Sequence, residues 1–382
     1  MIASRARQEE ADSMGENERR ILQRDPQPHL FRPITFRSVT ARNRIVLSPM
    51  CQYSAEGGMP NDWHLVHLGA RAAGGAGIVF TEAVATEPCG RITHNCLGLW
   101  NDLQRDALAR IAGFVNSQGA VPAIQLGHAG RKASSKRPWE GSRPLFPGDG
   151  GWQVIGPSAL PFSEKHPVPL EMDRARIEQV ITAFTAAARR ASSAGFRLLE
   201  VHAAHGYLFH QFLSPISNHR TDEYGGSLAH RARILIECLD AIRTEWADHL
   251  PLFVRLSCSD WVEGGWTLSE CIELARIMKA RGNVDLIDCS SGGNHPSQQL
   301  QIHPGYQVPF AEAIRREAGI PTAAVGLIHT PDLAEEIIAN GRADLVVLGR
   351  TLLWDPLWPL HAARALGTRA TWPVQYERAD VF

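Results

Sequence analysis

The sequence predicts an α/β protein, a (β/α)8 TIM barrel with long loops at the C-terminal rim of its strands. Three observations lead there: eight short apolar runs in order along the chain, helical patterns between them, and two long polar excursions that each follow a run. The runs are RIVLS (44–48), GIVFTE (77–82), AVPAIQL (120–126), RLLEV (197–201), LFVRLS (252–257), DLIDCS (285–290), IPTAAV (320–325) and DLVVLG (344–349). Eight is the count a closed parallel barrel requires, and unbroken apolar character suits strands covered on both faces. A doubly wound sheet uses similar pieces and is the alternative this pattern leaves open.

The connecting helices follow the same order. After the third run, DRARIEQVITAFTAAARRASSAG opens on a capping aspartate, carries apolar residues three and four apart, and stops at Gly195. SECIELARIMKARG repeats this grammar, and in TPDLAEEIIANG Thr330 caps while Pro331 takes the first helical position. Residues 134–170, rich in Pro, Gly and Ser, read as one long loop, and residues 206–230 as a second. Loops of this length in a compact domain usually serve a site.

Size and composition bound the rest. The 382 residues fit one barrel with additions, and 39 basic against 40 acidic residues leave a net charge of -1, with no basic run suited to nucleic acid or a membrane surface. No apolar stretch reaches the eighteen or so residues that span a bilayer. Residues 1–28 mix acidic and basic groups without an apolar centre, so they read as a polar extension before a barrel over 29–370, with 371–382 as a C-terminal segment. Seven scattered cysteines without a CxxC pair fit free thiols and a cytoplasmic location.

The polar residues just past each run supply the chemistry. The first run leads into Ser48, Pro49, Met50 and Cys51, the second into Ala83, and the third carries Gln125 near its end. The fourth delivers His202, His205 and Tyr207, the fifth carries Arg255, the sixth ends by Ser291, and the last two end in Gly326 and in Gly349 with Arg350. One rim thus receives many hydrogen-bonding groups, as a large polar cofactor needs. Glycines after the last two strands suit a phosphate, with Arg350 to neutralise it, and a carboxamide such as Gln125 both donates and accepts, as a flavin ring edge requires. Arg255 is costly to bury without an anionic or polar partner, such as a flavin edge that turns negative on reduction.

His202 and His205 admit a metal-binding reading, for which Glu200 and His210 are the nearby candidates, but Glu200 is expected to alternate away from the barrel interior and no metal is expected. Two neutral imidazoles that donate to a carbonyl oxygen fit better, and the Tyr207 phenol is placed to protonate a carbon made enolate-like.

Long segments carry a resemblance to a known family: LSPMCQYSAEGG (47–58), IQLGHAGRKA (124–133), VHAAHGYLFHQFLSPISNHRTDEYGGS (201–227), VRLSCSDW (254–261), DLIDCSSGG (285–293), GRADLVVLGR (341–350) and PVQYERA (373–379). The chain resembles the Old Yellow Enzyme family of FMN-dependent NAD(P)H oxidoreductases, and within it the bacterial, thermophilic-like branch. That resemblance implies an ene-reductase that reduces activated C=C bonds of α,β-unsaturated carbonyl or nitro compounds in a ping-pong cycle, with NADPH, or NADH, as hydride donor. It implies that Ser48 to Cys51, Ala83, Gln125, Arg255, Gly349 and Arg350 hold FMN, that His202 and His205 bind the substrate oxygen, and that Tyr207 is the proton donor. Tyr53 would line the substrate pocket, and Cys51 would tune the flavin without acting as a nucleophile; where this chain has His205, many relatives carry asparagine. An arginine of the terminal YER segment, here Arg378, would reach a neighbouring active site in a homodimer or homotetramer. The long amino-terminal extension and the bulky Trp261 depart from the family pattern. Nitroaromatic or nitrate-ester reduction, or an acyl-CoA substrate, is the implied alternative.

Overall fold

The computed structural model describes residues 27–380, so residues 1–26 of the expected extension lie outside it. All eight expected runs are strands, and they close into one parallel barrel. A short antiparallel hairpin, β1 (Ile34–Phe36) and β2 (Val39–Ala41), comes first. The barrel strands are β3 (Ile45–Leu47), β4 (Ile78–Ala85) and β5 (Val121–Gly127), then, after the small parallel pair β6 (Ile155–Gly156) and β7 (Leu170–Glu171), β8 (Leu198–Ala203), β9 (Leu252–Ser257), β10 (Leu286–Ser290), β11 (Thr322–Val325) and β12 (Leu345–Leu348). Pairing of β12 with β3 closes the ring.

The expected helices form with their expected ends. Asp173 caps Arg174–Ser193 through its side chain, Thr330 caps Pro331–Ala339, and Thr267 caps Leu268–Arg281 in a reciprocal box with Glu270. Gly282 ends the last of these in the left-handed conformation. The stretch 134–170 is not wholly loop, because β6 and β7 pair within it.

Two apolar layers result. Side chains on the outer face of the strands, such as Leu199, Val201 and Leu256, pack against the helices. Inward side chains, among them Val46, Ile78, Ala123, Leu198, Phe253, Leu286 and Val347, fill the lower barrel. The hairpin closes that end, with Phe36 set edge-on to Phe253 at 5.0 Å.

Period-two alternation then fixes what the upper barrel receives. Above the inward apolar residues come Ser48 on β3's trailing end, Gln125 on β5, Glu200 and His202 on β8, Arg255 and Ser257 on β9, and Asp288 and Ser290 on β10. Glu200 therefore shares the face of Leu198 and His202 and points into the barrel, contrary to the sequence expectation; it is fully buried and accepts from Gln125 Nε2 at 2.7 Å. On β4 the register shifts between Phe80 and Ala83, and this irregularity sets Ala83 opposite Gln125. Among the described residues no helix is long and apolar enough to cross a membrane.

Candidate active site

The rim opens into a cavity of about 730 Å³ whose wall includes Ser290, Tyr306, Gln307, Gly326, Gly349 and Arg350. That volume lies in the range of small-molecule and cofactor pockets. Gly326 stands at φ +129°, a conformation glycine alone adopts without strain, and a Cβ there would meet Gln307 at 3.2 Å. A Cβ on Gly349 would point toward Met50 Sδ at 3.5 Å. Arg350 is exposed and ion-pairs with no carboxylate among the described residues, so its charge is available to an anion.

Deeper in, Arg255 donates from Nη1 to Ser48 Oγ at 3.2 Å, and its Nε lies 3.3 Å from Asp288 Oδ2 without forming a hydrogen bond. A buried guanidinium with an orphaned N–H suits a further polar partner. Ser48, Gln125, Arg255, Gly326, Gly349 and Arg350 thus form a floor and an anion-binding end compatible with FMN; bound there, FMN would supply hydride transfer. The sequence named Ser291, but the Ser291 hydroxyl donates to Gln307 Oε1 at 2.6 Å and it is Ser290 that lines the cavity. Gln307 itself, bonded also to Val325 O, was not singled out from sequence.

His202 and His205 converge above this floor, with ring centroids 5.1 Å apart at 88°. His202 Nδ1 accepts the Ala204 N–H at 3.2 Å, which leaves the proton of the neutral ring on Nε2. His202 Nε2 faces His205 Nδ1 at 3.3 Å, and His205 Nε2 faces Ser290 Oγ at 2.7 Å. The Ser290 hydroxyl can accept from or donate to that nitrogen. With the Ser290 hydroxyl donating to Gln307 Oε1 at 3.5 Å, His205 Nε2 donates to Ser290 and His205 Nδ1 accepts from His202; an oxygen entering between the rings takes the His202 N–H, and a turn of Ser290 to donate to Nε2 moves the His205 proton to Nδ1 as a second donor. Burial, and next the nearby Arg255, push both rings well below the usual histidine range, so both stay neutral donors near pH 7.

His205 has φ +58°. Its N–H donates to Ser257 Oγ at 2.9 Å and its carbonyl accepts from Lys132 Nζ at 2.8 Å, while Lys132 also holds Gly293 O at 2.7 Å. These bonds fix an uncommon conformation from both sides. Burial, then Arg131, pushes the Lys132 ammonium down to about 8. Behind the loop, His210 Nδ1 accepts from Gly206 N and Nε2 faces Asp260 Oδ1 at 3.0 Å. His210 and Glu200 are thus committed elsewhere and do not complete a ligand set around His202.

Tyr207 stands perpendicular to His202 at 5.0 Å, and burial first of all raises its phenol well above the usual range, so it holds its proton. Tyr53, at φ +50°, sits edge-on to Trp139 at 6.0 Å. A hydrogen bond to Cys96, and then burial, push the Cys51 thiol well up, which suits a neutral thiol and not a nucleophile. Pro49 and Met50 follow Ser48 at the rim. Arg378 is exposed in the Val374–Ala379 turn and is not among the residues lining the cavity.

Comparison with known proteins agrees with this geometry. A family model described as NADH:flavin oxidoreductase / NADH oxidase matches residues 29–368. An NADPH dehydrogenase of Geobacillus thermodenitrificans (strain NG80-2) is 49% identical over 351 residues, covering 91% of this chain and 98% of that protein. The NADPH dehydrogenase of Bacillus subtilis (strain 168) is 46% identical over the same shares. Among solved structures, morphinone reductase superposes with a TM-score of 0.75 at 26% identity, covering 91% of this chain and 92% of its own. 2-Naphthoyl-CoA reductase superposes with a TM-score of 0.80 at 30% identity over 90% of this chain, which spans about half (53%) of that longer protein.

Proposed function

The chain belongs to the NADH:flavin oxidoreductase / NADH oxidase family, and from that membership and the rim geometry we infer that it is an NADPH-preferring, FMN-dependent ene-reductase. The observation that carries the reading is the neutral His202–His205 pair with the protonated Tyr207 beside it. Two N–H donors aimed at one point suit a carbonyl or nitro oxygen on which negative charge builds, and they cost no reorganisation when it does. FMN, held by the residues named below, would supply hydride transfer between nicotinamide and alkene. His202 and His205 orient the alkene and draw charge toward its oxygen, and Tyr207 gives a proton to the α-carbon. Tyr53 and Trp139 wall the substrate side.

Ser48 to Cys51, Ala83, Gln125, Arg255, Gly326, Gly349 and Arg350 hold the FMN in this reading, with the backbone of Ser291 at its edge. Arg378 completes the site of a neighbouring subunit in a homodimer or homotetramer, which its exposed position at the C-terminal turn favours. The near-complete coverage of dehydrogenases of this length supports one barrel per subunit, and the scattered free thiols favour the cytoplasm. Anaerobic stopped-flow absorbance tests the reading: NADPH should bleach the flavin faster than NADH, and 2-cyclohexenone should restore its colour. Bleaching without recovery would redirect the search to nitroaromatics, nitrate esters or acyl-CoA esters, and a protein unable to hold FMN would end the proposal.

A further inference from the structure

At the base of the proposed flavin floor, Arg255 stands with two carboxyl groups that the mechanism leaves unused. Glu200 on β8, Arg255 on β9 and Asp288 on β10 occupy inward positions on three adjacent strands, and they are 0%, 5% and 1% exposed. Asp288 is Arg255's direct neighbour in register, and Glu200 is tied by Gln125 Nε2. Glu200 Oε2 and both Asp288 carboxylate oxygens have no hydrogen-bond partner. Two carboxyl groups therefore share one guanidinium in a space closed to water. With both ionised the cluster carries a buried net charge, which costs several kcal/mol unless a proton neutralises it.

Among the described residues the immediate surroundings supply no second free cation. β5 presents Gln125, β3 presents Ser48, and below lie Leu198 and Phe253. Above, His202 is neutral, and Lys132 is spent on carbonyls of two loops. Arg350 and Tyr306 stand across the cavity. Burial, and next the repulsion of Asp288, push the Glu200 carboxyl up to about 8 against the pull of Arg255, while burial raises Asp288 with Arg255 opposing.

Gln125 and Arg255 are also the two residues that read the flavin edge in the reading above, so charge arriving at that edge is felt by the carboxyl next to them. We propose that Glu200 is a redox-linked proton site, which can release its proton while the bound flavin is oxidised and takes one up from solvent when the flavin is reduced. The step balances simply. The hydride brings the electron pair and one proton equivalent from the nicotinamide to the flavin, and one solvent proton converts the Glu200 carboxylate to the acid; nothing else is oxidised or reduced. The effect is to offset the negative charge that reduction places over Arg255: at high pH reduction is easier than beside a carboxylate that stays ionised, though harder than beside a neutral amide.

This inference rests on FMN binding but not on the alkene as substrate, and its test needs no turnover. The midpoint potential of the bound flavin is measured by equilibrium dye titration between pH 6.5 and 9.5 on wild type and Glu200→Gln, an isostere that keeps an acceptor for Gln125. One proton per two electrons is a tenfold change in the equilibrium per pH unit, about 30 mV. Wild type is expected to follow that slope near pH 7 and to steepen toward twice it once Glu200 ionises, whereas Glu200→Gln holds the lower slope throughout. Asp288→Asn, which removes the repulsion, should move the break to lower pH. A single slope in wild type across the range overturns the proposal, even if a variant fails to fold, as does equal steepening in Glu200→Gln. Failure to restore flavin colour with an enone would sink the ene-reductase reading and leave this result untouched, whereas a protein that binds no FMN overturns both.

Discussion

Replacing Tyr207 with Phe removes one oxygen and leaves the ring. The ring's perpendicular contact with His202 at 5.0 Å and its place 5.2 Å from Lys132 Nζ do not depend on the hydroxyl, so the loop should keep its shape. What goes is a proton that burial holds on the phenol well beyond the usual range. General acid catalysis by a positioned side chain contributes roughly 10²- to 10⁴-fold. At 1.36 kcal/mol per decade, the variant should lose about 3–5 kcal/mol of barrier lowering, all of it in the step that protonates carbon. Rapid-mixing absorbance under anaerobic conditions separates the two half-reactions: flavin bleaching by NADPH should keep its rate, and recovery with 2-cyclohexenone should slow by that factor. Equal slowing of both phases, or an unchanged second phase, would refute the assignment and turn attention to solvent as the proton source.

Three other outcomes follow from the same coordinates. Asp260 is fully buried, and although burial raises its carboxyl, His210, Ser214 and the Trp266 N–H outweigh this and hold it down to about 2. Its contribution is present above its ordinary value of 3.8 and is lost as pH falls through the depressed one; the gap amounts to about 2 kcal/mol. Asp260→Asn should therefore lower stability by at least that much at pH 7 in denaturant titrations, with the deficit shrinking only below pH 4. Gly206→Ala forces a Cβ to within 2.2 Å of Gly293 O at a φ of +71°, so it should destabilise the fold and weaken binding of 2-cyclohexenone to the oxidised protein, as spectral titration would show. Trp139→Ala removes the edge-on partner of Tyr53, a contact worth about 0.5–1.5 kcal/mol, and should raise KM for ring-bearing alkenes up to about tenfold while kcat holds.

How legible all this was in the sequence depended on how local the signal is. The eight strands could be read because each is a continuous apolar run, and the helix ends because caps such as Asp173 and Thr330 sit at fixed offsets. The β1–β2 hairpin and the β6–β7 pair are too short to show a period. Parity was the harder matter: Glu200 is read as alternating away from the interior although it stands two residues before His202 and so shares its face, and Ser291 is named where Ser290 lines the cavity. The shift in β4 has no signature in IVFTEAVA. Lys132 and Gln307 act through backbone carbonyls and side chains of distant loops, contacts that exist only after folding. His202, His205 and Tyr207 stand out in the sequence because they crowd into six residues at the end of a strand.

The left-handed backbone at position 205 acts as a filter on which residues this site can ever use. Side chains other than glycine are scarce at φ +58°, and histidine, asparagine and aspartate are the ones enriched there. Chemistry demands an N–H donor, which glycine lacks and aspartate can offer only when protonated. Two candidates survive both conditions, histidine and asparagine. The choice was narrowed by the shape of the main chain before any substrate could select it.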